Sequence, residues 1–186
     1  WGLPQSDQWP YDPEKAKKLL AEAGYPNGFS CELMTWNLPY MTGPSQVIQQ
    51  MLKEVGIKVH INALEFGQYF NKTYRYKYEM AFHITTAGYD PEEWLVPYFG
   101  KLDKSTYYKW SNHELWDMIE KQAHIMDKAK RVAYIQEIQR KVMDEAMSQA
   151  MFTTNRYWAV WPYVHIKNYF HPSSAYTSES WWMEKH

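Results

Sequence analysis

One cysteine, Cys31, in a chain of 186 residues excludes an internal disulfide framework. A formal net charge of −1 excludes a broad electrostatic pull toward nucleic acid or an anionic membrane surface. No apolar run approaches the ~20 residues that a membrane-spanning helix needs. The motifs of common enzyme chemistry are missing too. There is no Gly-x-Ser-x-Gly elbow, no phosphate-binding Gly-Lys-Ser/Thr loop and no Gly-x-Gly-x-x-Gly turn. His113 and His124 stand eleven residues apart, not at metal-ligand spacing, and no His-Glu-x-x-His or cysteine pair occurs, so neither a metal nor another cofactor is expected. The basic groups Lys15, Lys17, Lys18 and Lys128, Lys130, Arg131 sit in early helix turns and read as solvated faces. The chain starts at Trp1 rather than methionine, and is expected to be a piece of a longer protein.

Aromatic residues are abundant instead. The chain holds 16 tyrosines and 10 tryptophans, yet its mean hydropathy is −0.66. Two readings stay open: large amphipathic rings packed in core and surface, or a ligand cleft lined with flat stacking faces.

Local patterning predicts an α/β fold. Asp12 and Pro13 suit the N-cap and first turn of a helix carrying Ala16, Leu19, Leu20 and Ala23, and Gly24 ends it. Residues 29–36 then alternate as a strand. Val47, Ile48, Met51, Leu52 and Val55 form a helical stripe stopped by Gly56, followed by a second alternating strand over 57–63. A short helix is expected over 66–75, and the more continuously apolar 79–85 reads as a strand covered on both faces. Strand–helix–strand–helix–strand with short connections implies a parallel β-α-β-α-β core. The second half is mostly helical: Ser111 and Glu114 have capping-box spacing, Asp127 caps a long helix, and 149–160 is strand-like.

Sites in parallel sheets lie beyond the carboxyl ends of the strands, which directs attention to residues 36–40, 64–68 and 86–94. Trp36 beside Asn37 and Tyr40 offers an indole platform with an amide, suited to the CH face and hydroxyls of a sugar ring. Thr86 and Tyr89 precede a predicted helix cap and are contact candidates, as is Trp94 on the first turn, facing either cleft or core. Asp90, Pro91 and Glu93 have the spacing of N-cap, first residue and capping box, and Asp90 is also a candidate ligand contact set against that structural role. Asn155 and Tyr157 are polar candidates where the chain leaves the helical half. Catalysis by paired carboxylates is not expected, because Asp90, Glu92 and Glu93 share one turn and cannot flank a scissile bond; only Glu65 stands on another nearby loop.

Several stretches carry a resemblance. They are Tyr11–Phe29, Leu52-Lys53-Glu54-Val55-Gly56-Ile57-Lys58-Val59, Leu64–Tyr69, Tyr78–Phe82, Tyr89-Asp90-Pro91 with Pro97–Gly100, Trp110–Asp117, and the run Asp127–Ala146. In this order and spacing, over nearly the whole chain, the sequence resembles the distal lobe of family 5 bacterial extracellular solute-binding proteins. These are receptors of ABC importers for oligopeptides, dipeptides, nickel or oligosaccharides. The resemblance implies a two-lobed periplasmic-binding-protein fold, with residues 1–156 as distal α/β lobe and 157–186 as a return segment joining the other lobe. It implies an extracytoplasmic receptor, not an enzyme, whose partners are a small solute and a membrane permease. Peptide-binding members use an aspartate in an Ala-Asp-Tyr triplet to hold the ligand's ammonium; the matching triplet here is Ala87-Gly88-Tyr89. That loss, with the tryptophan excess, points to an oligosaccharide ligand. A peptide ligand is the alternative, ahead of a glycoside-acting enzyme or a sensor domain.

Overall fold

The computed structural model describes residues 1–4, 9–85, 90–101, 107–108, 112–152, 159, 161–166 and 181–183. The first helix, α1 (Pro13–Glu22), starts as its sequence dictates. Asp12 accepts a hydrogen bond from the Lys15 amide at 2.9 Å, and proline occupies the first turn. It ends with Gly24 at φ +89° and the Tyr25 amide donating back to Leu20 O at 2.8 Å. Gly56, also left-handed at φ +94°, ends α2 (Pro39–Glu54) in the same way, with the Ile57 amide donating to Leu52 O.

Three strands form a wholly parallel sheet: β1 (Ser30–Trp36), β2 (Lys58–Leu64) and β3 (Met80–Ala81), in the order β2-β1-β3. β1 is central. Its register pairs Ser30 with Lys58 and Trp36 with Leu64 on one edge, and Leu33 with Met80 on the other. Because β1 is covered on both faces, Leu33, Met34 and Thr35 are all buried in succession, which replaces the simple alternation expected there. β3 is shorter than the strand expected over 79–85; the Phe82 amide adds one more bond, to Met34 O, before the chain turns into side-chain packing. α2 begins earlier than its apolar stripe. Its inward face is Met41, Ser45, Ile48 and Leu52, whereas Val47 and Met51 look outward.

After α3 (Phe66–Tyr74), the helices α4 (Glu92–Phe99), α5 (His113–Gln122) and α6 (Lys128–Asp144) build a second core from Leu95, Phe99, Leu115, Ile119, Ile135, Ile138 and Val142. Each such buried apolar side chain contributes ~1.5–3 kcal/mol relative to exposure. α5 is capped by Asn112, which accepts from the Leu115 amide at 3.0 Å, one residue later than the expected Ser111. Ser111 lies outside the described residues. Asp127 caps α6, as expected, accepting from Lys130 N at 2.8 Å. No strand occurs over 149–152. The late strands are β4 (Val164–Ile166) and β5 (Trp181–Met183), paired antiparallel with each other.

One backbone approach fixes how the first strand enters the sheet. Gly28, at φ +70°, lies so close to Gly56 that a Cβ on Gly28 would sit 1.9 Å from Gly56 O. Both turns before β1 and β2 therefore meet backbone to backbone. Gly28→Ala is expected to lower stability by at least ~2 kcal/mol, from the left-handed strain and the clash together. Gly24→Ala, with open space around it, should lose only the conformational part, and urea unfolding of the two variants side by side measures the difference.

Candidate functional site

The strand order places the candidate site. From β1 the chain crosses to one side for β2 and to the other for β3, so the direction of winding reverses between β1 and β3. The crevice beyond the carboxyl ends at such a switch point is where open parallel sheets bind ligands. Trp36 closes β1 and His83 follows β3, so both residues stand at this crevice.

Aromatic side chains fill it. Trp36 meets Phe66 at 5.2 Å, Phe70 at 5.4 Å, Tyr69 at 5.6 Å and His83 at 6.2 Å between ring centroids. His83 lies parallel to Tyr69 and against Tyr107, which stacks on Tyr98 at 4.5 Å. Phe66, Tyr69, Phe70 and Tyr74 come from one stripe of α3 at helical spacing. That spacing was the available sequence signal for a cluster that sequence reasoning did not assemble.

His83 is the polar hub of this cluster. Tyr69 donates its hydroxyl proton to Phe82 O at 3.2 Å, and the same oxygen lies 3.2 Å from His83 Nδ1. The network thus assigns the ring proton to Nδ1 and leaves Nε2 to accept from the Tyr98 hydroxyl at 3.1 Å. Burial pushes His83 down to about 4 and drives the Tyr69 hydroxyl up, while Tyr78 is raised to about 12, again by burial first. The crevice floor is uncharged at neutral pH.

The sequence candidates divide around this floor. Trp36 is half-buried, its faces and edges engaged by the cluster, and its Nε1 is buried without an acceptor among the described residues. It supports the rim instead of offering the open platform expected of it, and Phe66, 63% exposed, is the neighbouring ring that most faces solvent. Asn37 and Tyr40 are exposed at the end of β1 and the start of α2. Asn37 is pinned there by its amide donating to Leu64 O at 2.8 Å, while its Nδ2 donates to Glu65 Oε1 at 3.1 Å. Trp94 is partly buried against the helical core, edge-on to Phe99 at 5.8 Å. Its place on the first turn of α4 fitted either direction, and apolar burial decides for the core. Thr86, Tyr89, Asn155 and Tyr157 lie outside the described residues.

Asp90 is committed to the fold. Both carboxylate oxygens accept from Arg131, each at 2.6 Å, and Oδ1 also accepts from the Glu92 amide at 2.9 Å. α4 starts at Glu92 with Pro91 in the cap position, one residue later than expected, while Glu93 reaches back to the Asp90 amide at 3.4 Å. Arg131 also donates to Gln122 Oε1, at 3.0 and 2.8 Å, and lies under the Trp1 ring at 5.3 Å. Gln122 is fully buried. Gln136 and Gln139 donate to the carbonyls of Gly2 and Trp1, so the opening residues run along α6 toward the same arginine. Among the described residues no three His, Cys, Asp or Glu side chains group as a metal site, and no helix is long and apolar enough to cross a membrane.

The model of bacterial extracellular solute-binding proteins, family 5 middle, matches residues 1–107. The chain belongs to this family. The match is shorter than the near-complete one expected from the motifs. The glutathione-binding protein GsiB of Escherichia coli (strain K12) is 49% identical over 63 residues, 32% of this chain and 12% of that protein. The periplasmic binding protein DppA of Helicobacter pylori, solved with the peptide STSA, is 30% identical with a TM-score of 0.63, over 73% of this chain and 28% of its own. HbpA2 of Haemophilus parasuis is 26% identical with a TM-score of 0.66, over 76% of this chain and 29% of its own. This chain therefore spans under a third of these relatives. The fold is that of a part of a two-lobed periplasmic binding protein, and the family is one of binding proteins.

Two expectations follow from the geometry. Asp90→Asn should cost about 1 kcal/mol, because the Asp90 side chain is 40% exposed and water screens the pair. The Arg131 hydrogen bonds hold the Asp90 carboxyl below its ordinary range, so its contribution is complete above pH ~4 and is lost as pH falls further. Denaturant unfolding of both forms should show a gap that is constant at neutral pH and closes in acid. For His83 the folded value lies below the ordinary 6.5, so between there and about 4 the unfolded chain binds the extra proton and stability falls as pH drops. The His83 ring signals in an NMR titration should stay in the neutral form through pH 5; titration at the ordinary value would contradict the buried network.

Proposed function

We propose that this chain is the distal ligand-binding lobe of an extracytoplasmic receptor that delivers a short peptide or peptide-like solute to an ABC importer. The observation carrying it is the parallel sheet's switch-point crevice, walled by aromatic rings, in a chain of the solute-binding family. Relatives named for glutathione or solved with a peptide favour a peptide over the oligosaccharide expected from the tryptophan content. The structure removes part of that expectation's basis, since Trp36 and Trp94 are engaged in packing rather than presented as stacking faces.

In this reading residues 1–156 form the distal lobe and 157–186 return toward the other one. Capture is by closure of two lobes over the solute, with hinge motion and no covalent chemistry. The crevice floor supplies apolar surface and neutral hydroxyls, and the opposing lobe excludes water and strengthens the polar contacts. The intact receptor would work outside the cytoplasm and hand its solute to a membrane permease.

Native mass spectrometry of the intact receptor tests this. The protein is offered glutathione, pooled di- and tripeptides, and pooled short oligosaccharides together. Retention of a peptide or glutathione mass is the expected result. Retention of sugar masses alone would return the reading to an oligosaccharide receptor.

A further inference from the structure

A peptide or glutathione carries an α-ammonium, and a receptor that reads it needs a carboxylate at the crevice that is not already neutralised. Four acids follow the carboxyl ends of the strands: Glu65 after β2, and Asp90, Glu92 and Glu93 after β3. Asp90 is held by both nitrogens of the Arg131 fork, and Glu93 turns back to the Asp90 amide. Glu92 stands in the field of the same arginine. All three belong to one turn organised around Arg131.

Glu65 differs in each respect. It occupies the cap position of α3 but makes no side-chain cap bond, so its own helix does not consume it. It is exposed, and among the described residues no cation pairs with it. Among the described residues its polar partner is a neutral amide, Asn37 Nδ2, at 3.1 Å. Asn37 is itself fixed by its backbone bond to Leu64 O, so the carboxylate is held across the ends of β1 and β2. Beside it stands the exposed ring of Phe66, braced edge-on by Trp36 at 5.2 Å.

We propose that Glu65, steadied by Asn37, is the specificity-determining residue that takes the α-ammonium of the bound solute. This rests on the peptide reading above. One carboxylate oxygen stays on Asn37 and the other receives an N–H of the ammonium; Asn37 Oδ1 is a second acceptor at the same place. Phe66 supplies an apolar and π face to the first side chain or to the ammonium itself. In open water such a contact is weak, so selectivity develops when the opposing lobe closes and desolvates it.

The test uses the intact receptor with glutathione and pooled tripeptides, each free and N-acetylated, against wild type and Glu65→Gln. Glutamine keeps an acceptor for Asn37 and removes only the charge. Since Glu65 is exposed, thermal unfolding should not move. The expected result is that wild type discriminates against the acetylated probes, and that Glu65→Gln weakens the free-amine probes by about tenfold to a hundredfold while leaving the acetylated ones unchanged. Equal binding of free and acetylated probes by wild type, or undiminished free-amine binding by Glu65→Gln, overturns the assignment and leaves the receptor reading standing. If wild type retains neither glutathione nor any peptide, the receptor reading itself fails, and the assignment with it.

Discussion

The central position of β1 is the constraint on which the rest depends. A strand paired in parallel on both edges must be buried on both faces, and it brings the carboxyl ends of β2 and β3 to either side of its own. Everything placed at the crevice follows from that. Trp36 closes the strand, Asn37 bonds to the end of β2, and His83 arrives from β3. The meeting of Gly28 and Gly56 sets the opposite end, because the two strands can start side by side only where the turn before β1 carries no side chain at Gly28.

The aromatic content finds its physical explanation at the same place. A crevice at a sheet edge is awkward to fill: aliphatic residues would leave it greasy, and charged ones would need partners. Tyrosine and histidine fill volume with rings while their polar atoms satisfy one another, as in the path from the Tyr98 hydroxyl through His83 and Tyr69 to Phe82 O. The result is a firm floor of neutral rings, with the Glu65 carboxylate and the exposed Phe66 ring at its edge.

Much of the fold was legible in the sequence where local chemistry decides it. Asp12, Gly24, Gly56 and Asp127 mark helix ends by rules that need no tertiary contact, and the structure follows them. The parallel character of the sheet was legible from the order of its elements. What could not be read were choices made by distant residues. Asp90 has the spacing of a cap, yet its main partner, Arg131, comes from a helix forty-one positions on. Trp94 fits two directions until α5 and α6 supply the core that claims it. The site was legible as a location, through the carboxyl-end rule, but not as a set of contacts. The His83 cluster joins rings from α3, the segment after β3 and α4, and only folding brings them together.

Arg131 carries a consequence for how this chain can change over generations. One guanidinium holds Asp90, Gln122 and the ring of Trp1, so three separate stretches of sequence share a single anchor. A drift at any one of them alters the fit of the other two. These four positions are therefore coupled through one group, whereas at the exposed rim the ties run in pairs, Asn37 with Glu65 and Phe66 with Trp36. The fold thus separates a frame that hangs on one guanidinium from an edge whose contacts are local.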